Sequence, residues 1–300
     1  MTRVRELSDR ELQSRLARGL DLRTGPFLFH IRSEEHLVFR GLRALYGDFP
    51  LGDEPVRDFH VRIRRPATVR RWFRPQIVFE HDRHTPFMPL SAAHAFASLE
   101  WGMNWCIASY AHHFLTLHAA VLERNGRAVL LPGEPGAGKS TLTAALSLSG
   151  WRLLTDETAL VDLDSGLVWP LARPVNLKND SIDIIQAFSR EAVFGDRVFD
   201  THKGTVAHLK PRAETVARMD EPCPVGWVVF PRWAGGEPAR LTPRSRADTF
   251  VFAAENSFNY SVLGEAGFRA LEGLIRGADC YDFRYGKLED ALSTFARLAG

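Results

Sequence analysis

The chain has 300 residues, of which 45% are hydrophobic, and its formal net charge at pH 7 is +2. That length and apolar content suit one large core or two smaller ones, and so balanced a charge points to no nucleic-acid partner. No apolar run approaches the ~18 residues of a membrane span and the stretch from Arg3 to Arg18 is charged, so neither a signal peptide nor membrane association is expected. Cys106, Cys223 and Cys280 are far apart and form no C-x-x-C pair, which suits a reducing, cytoplasmic setting without a disulfide framework.

In chain order, Leu7-Ser8-Asp9-Arg10-Glu11-Leu12 reads as a helix start. Ser8 is the N-cap, Glu11 closes a capping box, Leu7 faces Leu12 as a staple, and Gly19 ends the helix. Phe27, Phe29 and Ile31 alternate with Leu28, His30 and Arg32, the pattern of a half-buried strand. A short helix is expected over 37–46, a clean alternating strand over 58–64, and a further strand at Ile77-Val78-Phe79. Between 62 and 74, six arginines surround Trp72. With Asp58, Glu80 and Asp82 nearby, they read as the solvated face of a sheet in preference to a nucleic-acid platform. The longest helical pattern spans 91–114, with Phe96, Leu99, Met103, Cys106, Ile107 and Tyr110 near one face.

A strand over 115–122 carries His118, and Asn125-Gly126 is a strong hairpin signal leading to the apolar run Ala128-Val129-Leu130-Leu131. Next comes Gly133-Glu134-Pro135-Gly136-Ala137-Gly138-Lys139-Ser140-Thr141, which fits G-x-x-x-x-G-K-[ST] without a mismatch. Leu142, Ala145, Leu146 and Leu148 then form a helical stripe ending at Gly150. Strand, glycine loop and helix is the order that phosphate binding needs. The glycines let backbone N–H groups turn inward, and the helix N-terminus adds partial positive charge. Lys139 would reach the β- and γ-phosphates of a nucleoside triphosphate and the Ser140 hydroxyl would ligate Mg²⁺. The next apolar strand ends in Asp156-Glu157, seventeen residues after Lys139, so a carboxylate can approach the metal or the γ-phosphate. Adjacent strand residues point to opposite faces, so one of the two is expected to aim at the phosphate unless the strand ends there.

A second hairpin turns at Asp164-Ser165-Gly166, and hairpins on both sides of the loop predict a mixed sheet in place of an all-parallel one. A helix is expected over 181–188, a polar loop over 200–205, a buried strand over 225–230, helices over 250–263 and 268–275, a strand over 280–285 and a last helix over 288–298. Of 38 basic residues only five are lysines, and Lys139, Lys178, Lys203 and Lys210 all fall between the glycine loop and residue 210. Lysine serves phosphates as a compact point charge, which makes Lys178, its neighbour Asn179 and Lys203 candidate substrate or phosphate contacts.

Taken together, His118 fifteen residues before Gly133, the glycine loop, and the acid pair resemble HPr kinase/phosphorylase and its relatives. More closely, the chain is similar to the HprK-related kinase A family. Its hallmarks stand here as Glu100-Trp101-Gly102 with Asn104-Trp105-Cys106, Leu117-His118-Ala119-Ala120-Val121, Gly150-Trp151-Arg152-Leu153-Leu154, Leu177-Lys178-Asn179, Lys203-Gly204-Thr205-Val206-Ala207-His208 and Ser257-Phe258-Asn259-Tyr260. The resemblance implies an α/β (α+β) fold: a mixed-sheet P-loop kinase core of the HPr kinase and phosphoenolpyruvate carboxykinase type over residues 91–300, preceded by an N-terminal α+β region over 1–90. It implies an ATP- and Mg²⁺-dependent kinase that phosphorylates a serine hydroxyl of a protein or peptide. In that reading Lys139 holds the phosphates, Asp156 is the catalytic carboxylate, His118 lies near the reacting phosphate, and Ser140 and Glu157 serve the metal.

Glu157 replaces the family's second aspartate, and no glycine-rich stretch is recognisable over 173–181, which leaves phosphorolysis and HPr as the acceptor open. Relatives of this type are often encoded beside a small PqqD-like peptide-binding protein, which suggests a peptide-modification setting. A homo-oligomer is compatible with the resemblance, HPr kinases being hexamers. Two other readings of the same residues are a small-molecule kinase acting on serine or a related hydroxy compound, and a non-catalytic nucleotide-gated binding protein. Preference for ATP or GTP is not legible, because the loop reads phosphates and not the base.

Overall fold

The computed structural model describes residues 1–67, 73–134 and 136–300. Helix α1 (Asp9–Arg18) begins as its sequence dictates: Ser8 Oγ accepts the Glu11 N–H and Glu11 Oε2 accepts the Ser8 N–H at 2.8 Å. Gly19, at φ +137°, ends it. Strands β1 (Leu20–Thr24) and β2 (Phe27–Ser33) form a hairpin, α2 (His36–Leu45) follows, and β3 (Phe59–Arg64) lies parallel to β2. With β4 (Gln76–His81) and β5 (Leu90–Ser91) they make a sheet in simple order β1-β2-β3-β4-β5. Strand β1 escapes a sequence reading because Leu20 and Leu22 alone do not establish an alternation.

Helix α3 (Ala95–Tyr110) is shorter than the 91–114 pattern, since a 3₁₀ turn over Ala92–His94 precedes it and the chain leaves the helix at Ala111. Phe96, Leu99, Met103, Cys106 and Ile107 are buried, whereas Tyr110 is exposed. The helix lies against β3 and β4, and its apolar face belongs to the core formed by the N-terminal strands. That core does not stop at the N-terminal region, because Leu160, Leu171, Val216 and Met219 from later in the chain pack into it. Of the arginine-rich segment, residues 68–72, including Trp72, lie outside the described residues. Arg64 pairs with Glu80 at 2.6 Å and Arg65 with Glu35 at 2.8 Å.

The second part begins with a hairpin of β6 (Phe114–Arg124) and β7 (Arg127–Pro132), turned by Asn125 at φ +54° and Gly126 at φ +77°. After the glycine loop comes α4 (Lys139–Leu148). Strands β8 (Arg152–Thr155) and β9 (Thr158–Asp162) both pair with the edge of β6 away from β7, and β10 (Val168–Trp169) extends from β9. The acid pair therefore does not stand on a strand next to β7, because β6 intervenes. Strand β11 (Val175–Lys178), helix α5 (Asp180–Phe188), β12 (Val198–Thr201) and β13 (Gly204–Leu209) form a small separate unit with strand order β11-β13-β12. The expected polar loop over 200–205 is in fact the tip of the β12–β13 hairpin, with His202 and Lys203 in its turn.

Short helix α6 (Ala213–Ala217) precedes β14 (Val225–Trp233), which lies parallel to β7. Then follow β15 (Arg240–Pro243), α7 (Arg246–Glu255), α8 (Tyr260–Leu263), α9 (Glu265–Arg276), β16 (Asp279–Tyr285) and α10 (Leu288–Ala299). The expected single helix over 250–263 is broken into α7 and α8. Among the described residues the main sheet runs β10-β9-β6-β7-β14-β16-β15, parallel through β7, β14 and β16 and antiparallel elsewhere. Alternation sorts its side chains. Ala120, Leu122, Val129, Leu131, Trp227 and Val229 pack under α4 and α10, while Val121, Leu130 and Val228 pack on α7 and α9. Among the described residues no helix is long and apolar enough to cross a membrane.

Candidate active site

Strand β7 ends at Pro132 and the chain passes through the glycine loop into α4. Gly136 and Gly138 take φ of +88° and +85°, backbone that favours glycine. Gly138 is also closely packed, because a Cβ there would stand 2.7 Å from the Tyr285 hydroxyl. That hydroxyl donates to the Gly138 carbonyl at 3.2 Å, which pins the loop to β16. The first intrahelical bond runs from the Leu142 N–H to the Gly138 carbonyl at 3.0 Å. The amides of Lys139, Ser140 and Thr141 are therefore first-turn donors without an intrahelical acceptor.

The acid pair reaches the same place by an interruption of pairing. Thr155 lies opposite Val121 and Thr158 opposite His118, so Asp156 and Glu157 span the gap beside Ala119 and Ala120 of β6. On the other edge of β6, Ala119 faces Pro132, the last residue before the loop. In an unbroken strand adjacent acids would diverge to opposite faces. Here the strand lapses, and both line one cleft of about 540 Å³ together with Lys139, Ser140 and Thr141. His118, on the β6 face that also bears Ala120 and Leu122, lines it as well, as do Gly133, Glu134, Gly136 and Gly138.

Lys178, Asn179 and Lys203 line the same cleft. Asn179 stands at φ +49° and spends its Oδ1 on the Thr205 N–H at 3.0 Å, so it ties the end of β11 to the hairpin that carries Lys203. Ala137 faces an adjoining cleft instead, and Pro135 lies outside the described residues. Lys210 does not join this group of lysines, because its ammonium pairs with Asp48 at 2.7 Å.

Burial and charge set the ionisation of these groups. Burial pushes the Asp156 carboxyl up to about 6, against the pull of Lys139. Its Oδ2 accepts the Asn176 N–H at 2.9 Å, while its buried Oδ1 has no hydrogen-bond partner in the protein. Burial also acts to raise Glu157, but nearby positive charge, led by Lys203 and including Lys139 and Lys178, outweighs it and holds this carboxyl below its ordinary value. Burial, then Lys139, depress His118, so its imidazole is neutral at pH 7. Lys139 is itself lowered by burial, with Asp156 and Glu157 opposing.

Behind Glu157 runs a buried polar chain that single-residue reasoning missed. Asn104 Nδ2 donates to Glu157 Oε2 at 2.8 Å, and Arg173 Nη1 donates to Asn104 Oδ1 at 2.6 Å. Arg173 Nη2 reaches Glu100 Oε2 at 2.6 Å, and the Tyr46 hydroxyl donates to Glu100 Oε1 at 2.7 Å. Glu100 and Asn104 are four residues apart on α3, hence on one helix face, and that i, i+4 spacing was the available signal. Phe258 also went unmarked as a site residue; its ring lies 5.7 Å from that of His118. Asn176, whose N–H holds Asp156, is a further residue of the site.

Among the described residues, no group of three or more His, Cys, Asp or Glu side chains is arranged to hold a metal ion by itself. Magnesium does not require one, since it commonly takes one or two protein oxygens with phosphate and water completing its shell.

No protein-family model matches the chain, and no curated protein does. One solved structure that matches is described as the Hpr(Ser) kinase/phosphatase from Coxiella burnetii. The two are 14% identical, with 61% of this chain and 96% of the other covered at a TM-score of 0.27. A likeness this distant decides neither fold nor chemistry.

Proposed function

We propose that the chain is a Mg²⁺- and ATP-dependent kinase that transfers the γ-phosphate to a serine hydroxyl of a protein or peptide. The observation that carries the reading is the unpartnered, buried Oδ1 of Asp156, in one cleft with Lys139 and the first turn of α4. The loop amides and Lys139 would bind and orient the phosphates, with Lys178 and Lys203 screening them. Asp156 Oδ1 would accept the proton of the acceptor hydroxyl, a task suited to a carboxyl whose pKa lies just under neutral. Neutral His118 would contribute a hydrogen bond near the transferring group and not a second positive charge. Ser140 and Glu157 are the oxygen donors that would hold magnesium, whose contribution when bound is to offset phosphate charge. The motif order of the HPr kinase/phosphorylase and HprK-related kinase A families supports the same assignment, and a PqqD-like peptide-binding protein is the partner to test first.

The experiment is the fate of γ-labelled phosphate from Mg-ATP in a mixture of the purified chain, host lysate and any peptide encoded nearby. Label is expected on a serine of one acceptor, lost with Lys139→Ala and reduced about 10²–10⁴-fold with Asp156→Asn, while Asp156→Asn still binds nucleotide. Full activity of Asp156→Asn would remove this residue as the base. Label on a small hydroxy compound would make the chain a metabolite kinase. Label retained on tightly bound ATP would favour a nucleotide-gated binding protein.

A further inference from the structure

A second cleft, of about 700 Å³, meets the first at the glycine loop and shares Gly133, Glu134 and Gly136 with it. Its floor is made by the carboxyl ends of β14 and β16. Both strands run parallel to β7, so they end on the side of the sheet where the loop stands. Beyond the carboxyl ends of parallel strands is where open α/β sheets take small ligands. The acid pair and His118 lie on the β6 side of β7, and this cleft lies on the β14 side.

Trp233, the last residue of β14, stands in this cleft and is 57% exposed, while its backbone is tied down. Its backbone N–H donates to the Ala137 carbonyl at 3.0 Å, which couples the end of β14 to the glycine loop. Its Cβ stands 3.1 Å from where a side chain at Gly138 would begin, and Gly235 leaves room beside the six-membered ring, where a Cβ would come within 3.4 Å. Glycine at 138 leaves space for the Trp233 Cβ and glycine at 235 leaves its ring uncrowded, so a flat ring remains open to the cleft. The surrounding groups include donors and acceptors: Arg232 and Arg284, Thr242, and Asp282, which pairs with Arg244 at 2.9 Å. An exposed indole beside an anion-binding loop, with mixed polar groups around it, matches the chemistry of a heterocyclic base joined to phosphates.

We propose that this cleft seats the nucleoside part of the triphosphate, with the base stacked on the Trp233 indole. The proposal rests on the nucleotide reading of the glycine loop and adds to it where the base goes. Stacking is tolerant of base identity because every base offers a π-face, so ATP and GTP should bind within about tenfold of each other.

The test compares Mg-ATP with magnesium tripolyphosphate, which has the phosphates and no base, by calorimetric titration of the full chain. In Trp233→Ala, ATP affinity is expected to fall about 5- to 160-fold, the range for loss of one base–aromatic stack, while tripolyphosphate affinity stays within about twofold. Trp233→Phe keeps a ring and should recover most of the ATP affinity. Retained tripolyphosphate binding also shows that the variant is folded. ATP binding unchanged in Trp233→Ala would overturn the base seat and leave the phosphate reading intact. Failure of wild type to bind either compound would overturn the phosphate reading, and the seat with it.

Discussion

Asp156 shows how a single side chain is prepared by its surroundings. With one oxygen bonded to the Asn176 amide and the other unpartnered, its carboxylate is disfavoured by burial and titrates at about 6. The sign of the resulting pH dependence follows directly. A carboxyl whose folded pKa is raised contributes most to stability below its ordinary value, where both states are protonated, and that contribution is lost as pH rises through about 6. The wild-type chain, measured without nucleotide, should therefore lose stability relative to Asp156→Asn between about pH 4 and pH 7, by up to about 3 kcal/mol. Denaturant titrations at several pH values in metal-free buffer check this; a difference that is flat with pH would mean the carboxyl is not raised. Lys210 illustrates the opposite lesson. It shares its residue type and sequence neighbourhood with the cleft lysines, but Asp48, distant in the chain, claims its charge.

At the scale of elements, the break between α7 and α8 has a specific cause. The first half of β6 has β9 on one edge, and β7 covers the other edge only from Ala119 onward. The segment 256–259 completes that edge. The His118 N–H donates to the Asn256 carbonyl at 2.9 Å and the Phe258 N–H to the Thr116 carbonyl at 2.9 Å. The Asn259 side chain accepts the Thr116 N–H at 2.9 Å and donates to the Phe114 carbonyl at 2.8 Å. A continued helix would leave those β6 groups unsatisfied, and it would also remove Phe258 from the His118 ring. Asn259→Ala should accordingly cost about 2–4 kcal/mol, since it strands two buried backbone groups. Thermal or denaturant melts measure the loss, and a change below about 0.5 kcal/mol would show that water replaces the asparagine without penalty.

Over the whole molecule, the N-terminal sheet and the central sheet are held by one shared core and by the buried chain Tyr46–Glu100–Arg173–Asn104–Glu157. The chain starts at the C-terminal end of α2, crosses α3 and ends in the cleft. Arg173 and Glu100 are both about 5% exposed, a charge pair that is costly to break from one side. Glu100→Ala should destabilise the fold by about 3–5 kcal/mol because Arg173 is left buried without its partner. Circular dichroism and tryptophan fluorescence should report one coincident unfolding transition in both wild type and variant. Two separated transitions would show instead that the parts unfold independently.

Local signals were enough for much of this arrangement. The capping box of α1, the Asn125-Gly126 turn and the strand, loop and helix order around Lys139 all depend on neighbours within a few residues, so the chain itself spells them out. The mixed sheet was also legible, because hairpin turns on both sides of the loop exclude an all-parallel order. The rest depends on partners far apart in the sequence. That Asp156 and Glu157 face one cleft follows from a lapse in pairing opposite Ala119 and Ala120. That Lys178 and Lys203 reach it depends on a separate small sheet. Asn104 and Arg173 meet behind Glu157 only because α3 packs against both parts. Hydrogen bonds and burial between distant segments are decided by packing, and no local pattern encodes which buried polar atom will be left without a partner.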